Sequence, residues 1–370
     1  MNKRIFTIAD CFSFIKNGAN IKQDKEKRGY PITRIETTSN NVFNRDKVGY
    51  AGIEDITPYQ DYVLEDGDLL MSHINSLPYL GRVVYYDRRQ DEVIIHGMNL
   101  LRLKAIKTRL RPKYATFLFS SIRFKNKILT IAKKSVNQAS FSINDLKKVC
   151  IELPTVEEQD NIVDKLVGIQ KIIQLRNTQL MKLDELVKCR FVEMFGDWKT
   201  NPLNLPQISG KELFVFSSGK FLSSDKRKEC GVPVYGGNGI AWYTDKPLIQ
   251  ESTIIIGRVG AFCGNIHSTK QPVWITDNAI YIKHCKKEID HVFLTELMTQ
   301  MDFHQYADFS GQPKITQKPL EETKYILPTL EQQNAFASFV HRIDKLRFEI
   351  QASLDKTQQL FDSLMQEYFG

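Results

Sequence analysis

A 44-residue segment that occurs twice constrains the fold more than any other feature of this sequence. The first copy covers Leu153–Gly196 and opens with LPTVEEQ, and the second covers Leu327–Gly370 and opens with LPTLEQQ. The copies align without a gap from their first residues to their last, and 13 of the 44 positions are identical. In each copy a proline precedes a threonine N-cap candidate and a glutamate in the first turn, which are signals of a helix N-terminus. The sequence therefore predicts two related long helices.

Both copies carry apolar residues at alternating steps of four and three, the spacing of a coiled-coil seam rather than of an ordinary amphipathic helix. The seam positions are Ile162, Leu166, Ile169, Ile173, Leu180, Leu183 and Val187 in the first copy, and Phe336, Val340, Ile343, Ile350, Leu354, Phe361 and Leu364 in the second. Arg176, Arg347 and Thr357 interrupt the seam. Because neither helix can bury such a stripe alone, we expect the copies to pack on each other. The alternative is two unrelated long helices, each packing on its own domain.

The repeats divide the chain into a globular part at residues 1–152, a helix at 153–196, a second globular part at 197–326 and a helix at 327–370. The globular parts look like distant copies of each other. The segment Gly67–Ser72 echoes Ser252–Gly257, and Gln138 aligns with Gln312 when the alignment of the two helix copies is extended back without a gap. The chain is therefore predicted to be a duplication, arranged as domain, helix, domain, helix.

Each globular part contains short strand-like runs separated by polar turns, and a helical segment near its end. The predicted strands are 83–86, 93–95 and 100–103 in the first part and 253–256, 273–275 and 280–282 in the second, and the predicted helices are 114–132 and 292–306. This pattern predicts the α+β class, with each domain built on a curved mixed sheet plus helices.

The net charge of +8 favours an acidic partner, nucleic acid first. No apolar run approaches the roughly 20 residues of a membrane helix, and the N-terminus lacks the apolar core of a signal peptide. We therefore expect a cytoplasmic protein with no membrane partner. The six cysteines are scattered and form no CxxC pair, which argues against disulfides and a zinc site.

Motifs of common enzymes are missing from the sequence, which has no Walker A loop, HExxH or GxSxG. The acidic run Glu65–Asp68 suggests, as an alternative, a divergent metal site of a DNA nuclease. An acidic turn before a strand is the commoner explanation of such a run. We expect no metal and no catalytic residue in this chain.

A stretch of 52 residues, Val93–Asn144, contains 11 Lys and Arg but no Asp or Glu, in a chain with 43 acidic residues. Such a run can supply phosphate contacts and counterion release in DNA binding. Its end, around Lys133, Lys134, Asn137 and Gln138, adds amides that could read an adenine edge. The alternatives are a solvated basic face, or a coiled-coil scaffold that binds nucleic acid without specificity.

In the second domain, glycine residues allow the backbone to approach a partner closely. Arg258, which lies between two glycines, can present its guanidinium group to guanine or to a phosphate. Each of these features alone could also be turn chemistry. The candidate DNA-binding residues of the whole chain are Arg34, Arg82, Arg102, Lys133, Lys134, Asn137, Gln138, Tyr235, Gly237, Asn238, Trp242, Arg258, Gln312 and Lys314.

Over its whole length the chain resembles the specificity subunit of a type I restriction–modification system. The most specific marks are the two LPxxExQ openings, at Leu153 and Leu327, each leading a heptad helix. The others are Gly257-Arg258-Val259-Gly260 with Trp274–Ala279, and the glutamine tracts around Gln138 and Gln312.

The resemblance implies that residues 1–152 and 197–326 are target recognition domains, each reading half of a bipartite double-stranded DNA sequence. It implies that the two helices form an antiparallel coiled coil, which sets the spacer between half-sites and docks two methyltransferase subunits. Restriction subunits would join that core. S-adenosylmethionine, ATP and Mg²⁺ are expected on those partner subunits, and this chain is expected to bind no cofactor and to have no catalytic residues.

Overall fold

The computed structural model describes residues 3–136 and 138–370. The chain forms two compact units. The first unit is the chain up to Leu175 together with Leu354–Gly370, and the second is Arg176–Ser353. Each unit thus combines one globular part with a segment of both long helices, whereas the four-part sequence division treats the helices as separate segments.

The first unit is built on short strands. They are β1 (Arg4–Thr7), β2 (Phe12–Asn17), β3 (Pro31–Ile32), β4 (Gly49–Tyr50), β5 (Leu69–Ser72), β6 (Ile74–Asn75), β7 (Val83–Tyr85), β8 (Leu100–Ala105), β9 (Lys133–Lys134), β10 (Ala139–Ser140) and β11 (Cys150–Leu153). The helices are α1 (Ile8–Cys11), α2 (Pro112–Ser120), α3 (Ile122–Ile131), α4 (Ile143–Lys147) and the long α5 (Val156–Phe195).

The second unit repeats this plan. Its strands are β12 (Gln207–Ser209), β13 (Phe214–Ser218), β14 (Val232–Gly236), β15 (Gly239–Thr244), β16 (Ile254–Gly257), β17 (Ile266–Ser268), β18 (Trp274–Ile275), β19 (Ala279–Cys285) and β20 (Lys324–Ile326). The helices are α6 (Gly210–Leu213), α7 (His291–Gln300), α8 (Gln317–Glu322) and the long α9 (Leu330–Phe369).

Sheet topology confirms the duplication. The antiparallel four-stranded sheet has the order β2-β8-β5-β7 in the first unit and β13-β19-β16-β17 in the second. In each unit the first strand pairs antiparallel with the last, as β1 with β11 and β12 with β20. A smaller sheet, β15-β14-β18, contains a parallel pair. The α+β class with a mixed sheet is therefore confirmed.

The central strands are buried on both faces, which explains their continuous apolar sequence. In β5, Leu69 and Met71 enter the main core of the first unit, while Leu70 enters a second core with Tyr86. The strand β16 repeats this alternation, because Ile254 and Ile256 face one core and Ile255 faces another. A period of two residues distributes the side chains between the two faces of the sheet.

The long helices begin as predicted, with threonine caps. The Glu158 N–H donates to Thr155 Oγ1 at 3.3 Å, and the Glu158 carboxylate accepts from the Thr155 N–H at 3.0 Å. Thr329 and Gln332 form the corresponding pair of hydrogen bonds, at 3.4 and 3.1 Å. These reciprocal bonds satisfy N–H groups at each helix start that have no partner within the helix.

The helices pack on each other in antiparallel fashion, as expected. In the first unit, Ile162 and Leu166 near the start of α5 share a core with Tyr368 and Phe369 at the end of α9. In the second unit, Phe195 at the end of α5 lies 5.7 Å, between ring centroids, from Phe336 near the start of α9.

All fourteen proposed seam positions are buried or half-buried. The interrupting Arg347 forms an ion pair of 2.6 Å with Asp184 and a second one with Asp344.

Three local predictions were wrong. Residues 93–95 form no strand; Ile95 makes only isolated bridges, to Ile32 and Val63. The helix predicted at 114–132 is two helices, because extended Ser121 ends α2 and caps α3 through its hydroxyl. The helix predicted at 292–306 ends at Gln300, where Asp302 adopts a left-handed conformation with φ of 47° before a short 3-10 turn.

Candidate nucleic-acid interface

The candidate residues at the end of the basic stretch lie on a small hairpin of the first unit. Lys133 and Lys134 form β9, are exposed, and pair with β10. The Gln138 carbonyl accepts from the Ser135 N–H at 2.8 Å and from the Ser135 hydroxyl at 2.9 Å, which closes the hairpin and leaves the Gln138 side chain exposed. Asn137 lies outside the described residues.

Part of the basic stretch is neutralised by carboxylates from elsewhere in the chain. Lys104 Nζ lies 2.6 Å from Glu65, Arg111 Nη2 lies 2.8 Å from Asp160, and Arg123 Nη2 lies 2.5 Å from Glu152. Lys133 and Lys134 form no ion pair with any of residues 3–136 and 138–370. The part of the stretch that can neutralise phosphates is therefore smaller than the sequence suggests.

Arg102 is corrected from a candidate DNA contact to a structural residue. Its side chain is only 5% exposed, and its Nε lies 2.7 Å from Asp68 Oδ2 in a buried ion pair. Its other nitrogens bond Glu65 at 3.2 Å and the Asp61 carbonyl at 3.1 Å. With its donors held inside the domain, Arg102 cannot reach a DNA groove.

The same contacts explain the acidic turn that suggested a nuclease. Asp68 faces Arg102, and Glu65 faces Lys104. Both carboxylates are thus engaged in ion pairs with cations of the protein. Within the described residues, no three His, Cys, Asp or Glu side chains are grouped to hold a metal ion.

The other two candidate arginines of the first unit, Arg34 and Arg82, are half-buried. Arg34 Nε lies 3.4 Å from the Glu36 carboxylate. Arg82 lies over the Tyr79 ring at 4.4 Å and donates to the Thr38 carbonyl at 3.4 Å. Both stay candidates, although each already has a partner.

Four candidates of the second unit converge. Gly237 is in the two-residue turn between β14 and β15, where an added Cβ would come 3.5 Å from Gly257 Cα. Arg258 follows β16, and the next residue, Val259, pairs with Lys314. Gln312 precedes this pairing and is exposed.

This site is held together by backbone hydrogen bonds. The Gly260 N–H donates to the Pro313 carbonyl at 2.9 Å, and the Ile315 N–H donates to the Arg258 carbonyl at 2.9 Å. Arg258 Nη1 donates to the Asp277 carbonyl at 3.4 Å, a long hydrogen bond. The glycine turn, the Gly-Arg-x-Gly segment and the glutamine tract therefore meet at one place, as their recurrence suggested.

The aromatic candidates lie on the neighbouring hairpin. Trp242 on β15 stacks with the Arg227 guanidinium at 4.1 Å, and its enclosed Nε1–H finds no acceptor within the described residues. Tyr235 on β14 lies 6.3 Å from His267, between ring centroids. Burial, together with the nearby Tyr243, raises the pKa of the Tyr235 hydroxyl, so this group is neutral at pH 7. Asn238, at the tip of the turn, is exposed.

Sequence reasoning missed two kinds of residue. Gln159 and Gln333, the last residues of the LPxxExQ openings, are buried and bind the globular parts to the helices. The sequence signal that could have identified them is the glutamine at the same position of both openings. His73, which follows β5, lines an open groove beside Lys133, and no motif points to it.

The sequence model of the family described as Type I restriction modification DNA specificity domain matches residues 2–185 and 208–360. These matches cover most of the chain, and the chain therefore belongs to this family. The expected resemblance is confirmed.

Individual relatives agree. The chain is 32% identical over 374 residues to a protein of Methanocaldococcus jannaschii with the provisional name of type I restriction enzyme MjaX specificity subunit, covering 92% of this chain and 86% of the relative. It is 30% identical over 151 residues, 38% of this chain and 37% of the relative, to the Escherichia coli type I restriction enzyme EcoprrI specificity subunit.

Two solved structures share the fold. The S subunit of a type I restriction-modification system from M. genitalium matches with a TM-score of 0.64 at 20% identity, covering 100% of this chain and 96% of that one. A chain from a structure describing complex assembly and conformational transition of the type I R-M system matches with a TM-score of 0.59 at 15% identity, covering 99% and 97%. Within its described residues, the present chain has no helix that is both long and apolar enough to cross a membrane.

Proposed function

We propose that this chain is the DNA-sequence specificity subunit of a type I restriction–modification complex, in which each globular part reads one half of a bipartite duplex target. The observation that supports this most directly is the repetition of one candidate interface in two copies of a domain. In the first copy, β10, which lies next to the glutamine tract, pairs with β6, which comes shortly after β5. In the second copy, Lys314 of the glutamine tract pairs with Val259, which comes shortly after β16.

The long helices set the distance between the half-sites. A helix of 40 residues measures about 60 Å, and dimeric readers of DNA commonly use half-sites about one helical turn apart. Because each unit contains segments of both helices, the helix pair is structurally continuous with both readers. A change in the seam register would therefore alter the unread spacer.

Catalysis belongs to partner subunits in this proposal. Two methyltransferase subunits dock on the helical regions and bind S-adenosylmethionine, and restriction subunits supply the chemistry that needs ATP and Mg²⁺. The complex acts on DNA in the cytoplasm. The support from this chain is that its acidic turn faces Arg102 and Lys104.

The test is a genome-wide adenine-methylation map of cells that contain the methyltransferase subunit, with and without this chain. We expect a split motif that disappears with the chain. Replacing residues 1–152 with the corresponding domain of a relative should change one half of the motif and leave the other half and the spacer unchanged. A methylation pattern that does not depend on the chain, although the methyltransferase co-purifies with it, would overturn the proposal.

A further inference from the structure

The ring of His73 is buried without its full set of partners. The residue is 6% exposed, and its ring lies edge-on to Phe141 with 6.3 Å between centroids. Its Nδ1 has no hydrogen-bond partner within residues 3–136 and 138–370. Buried polar side-chain atoms are nearly always paired, so an unpaired one requires an explanation.

His73 also lines an open groove of about 680 Å³ in the first unit. The other polar residues of this groove include Asn17, Lys133, Ser140, Asn144 and Lys147. The described lining contains no carboxylate. Ammonium, amide and hydroxyl groups without a carboxylate fit phosphate oxygens and base edges, which are the groups that a DNA groove presents.

The duplication places His73 where the second unit has Arg258. His73 directly follows β5, as Arg258 directly follows β16. The Phe141 N–H donates to the His73 carbonyl at 3.2 Å, and the Ile315 N–H donates to the Arg258 carbonyl at 2.9 Å. Phe141 aligns with Ile315 when the gapless alignment of the two helix repeats is extended towards the N-terminus.

The residues that follow confirm this equivalence. Ile74 pairs with Ser140, and Val259 pairs with Lys314. Ser140 and Lys314 are again opposite each other in the same gapless alignment. His73 and Arg258 therefore occupy the same place in the two copies, beside the same glutamine tract.

We propose that His73 and Arg258 are equivalent specificity-determining residues, each reading one base edge in the half-site that its own domain recognises. This inference rests on the proposed function. An arginine here suits guanine, whose O6 and N7 accept two hydrogen bonds from a guanidinium. The His73 ring lines the groove of the first unit, so a base edge that enters this groove lies beside it.

The chemistry of the His73 ring suits this role. Burial lowers the pKa of His73, so the imidazole is neutral at pH 7. A neutral imidazole has one donor and one acceptor nitrogen, and can therefore read either kind of base group. The neighbouring Lys133 and Lys147 carry positive charge. Contacts of such side chains with phosphates position the DNA backbone without selecting a base.

The experiment uses the full chain assembled with its methyltransferase subunits, and combines methylation mapping with competition binding to duplexes varied at each position of the motif. We expect His73→Ala to lose about tenfold discrimination at one position of one half-site and none in the other half. Arg258→Ala should do the same in the opposite half. His73→Arg should introduce a preference for guanine at the position that His73→Ala relaxes.

Lys147→Ala is the matched control from the same groove, and should weaken binding to all sequences equally. If His73→Ala fails to fold, His73→Leu fills a similar volume without a donor or an acceptor and serves as the test. A folded His73 variant that leaves the motif unchanged, or that weakens all sequences equally, overturns the inference. A wild-type chain that directs no split motif overturns the proposed function itself, which is a separate result.

Discussion

Gln159 Oε1 accepts a hydrogen bond of 2.9 Å from the backbone N–H of Arg111, 48 residues earlier in the chain. Gln159 is fully buried, and its Nε2 donates to the Arg109 carbonyl at 2.8 Å and to the Pro154 carbonyl at 3.1 Å. Arg111 is the N-cap residue of α2 and has no side-chain cap bond of its own. In the second unit, Gln333 accepts from the N–H of Asp290, the N-cap of α7, at 2.8 Å. The last residue of the LPxxExQ opening therefore joins the globular part to the long helix.

Replacing Gln159 with Leu should destabilise the first unit strongly. The side chain keeps a similar volume, but the Arg111 N–H and the Arg109 carbonyl lose their partners in a partly buried position. We expect the free energy of unfolding to fall by about 2–4 kcal/mol, measured by urea denaturation. Gln170→Leu, at an exposed position of the same helix, should change it by less than about 0.5 kcal/mol. Equal effects of the two substitutions would contradict this role of Gln159.

The seam can be tested by cavity formation. Leu166 is fully buried against the C-terminal end of α9, whereas Leu175 on the same helix is 63% exposed. Leu166→Ala should lower the free energy of unfolding by about 2–5 kcal/mol, and Leu175→Ala should have almost no effect. If the two variants had similar midpoints of denaturation, the helix would be packed in a different register.

Much of the fold could be predicted because it depends on local and periodic signals. Repeated openings and a four-three apolar stripe define the helix pair, and apolar runs define β8 and β16. The failures occurred where one residue decides the structure. Ser121 interrupts a helical pattern with a cap, and Ile95 lies in an apolar run that meets other strands only at single bridges.

The candidate site was harder to predict, because the pairing of charges depends on tertiary contacts. The stretch Val93–Asn144 has no carboxylate in sequence, yet the fold brings Glu65, Asp160 and Glu152 to its basic residues. His73 escaped notice for a related reason. A lone histidine after a strand carries no signal until the sheet shows which residue of the other copy it matches.

Glu296 should make the second unit pH-dependent. Burial raises the pKa of Glu296, and its carboxylate accepts from Gln300 Nε2 at 2.7 Å. Because the folded state holds the proton more tightly than the unfolded state, stability falls as pH rises from the ordinary glutamate pKa through the raised value, and then levels off. Glu296→Gln keeps the hydrogen bond without the charge, so it should raise the Tm at pH 7 and lose this advantage near pH 4. The exposed Glu288→Gln should show no such difference, and a Tm gain of Glu296→Gln at every pH would exclude the charge as its cause.

Lys133 and Lys134 should carry a measurable share of the salt dependence of DNA binding. Only cations without a protein counter-charge release bound counterions in full, and each phosphate contact contributes about 0.9 to the slope of log K against log salt concentration. Replacing both lysines with Ala should therefore weaken binding to every sequence and flatten the slope by about 1.8. Lys104→Ala is the matched control, since Lys104 is already paired with Glu65 at 2.6 Å, and it should leave the slope almost unchanged. A changed sequence preference in the double variant would instead identify these lysines as base readers, and an equal effect of Lys104→Ala would show that the ion pair opens when DNA binds.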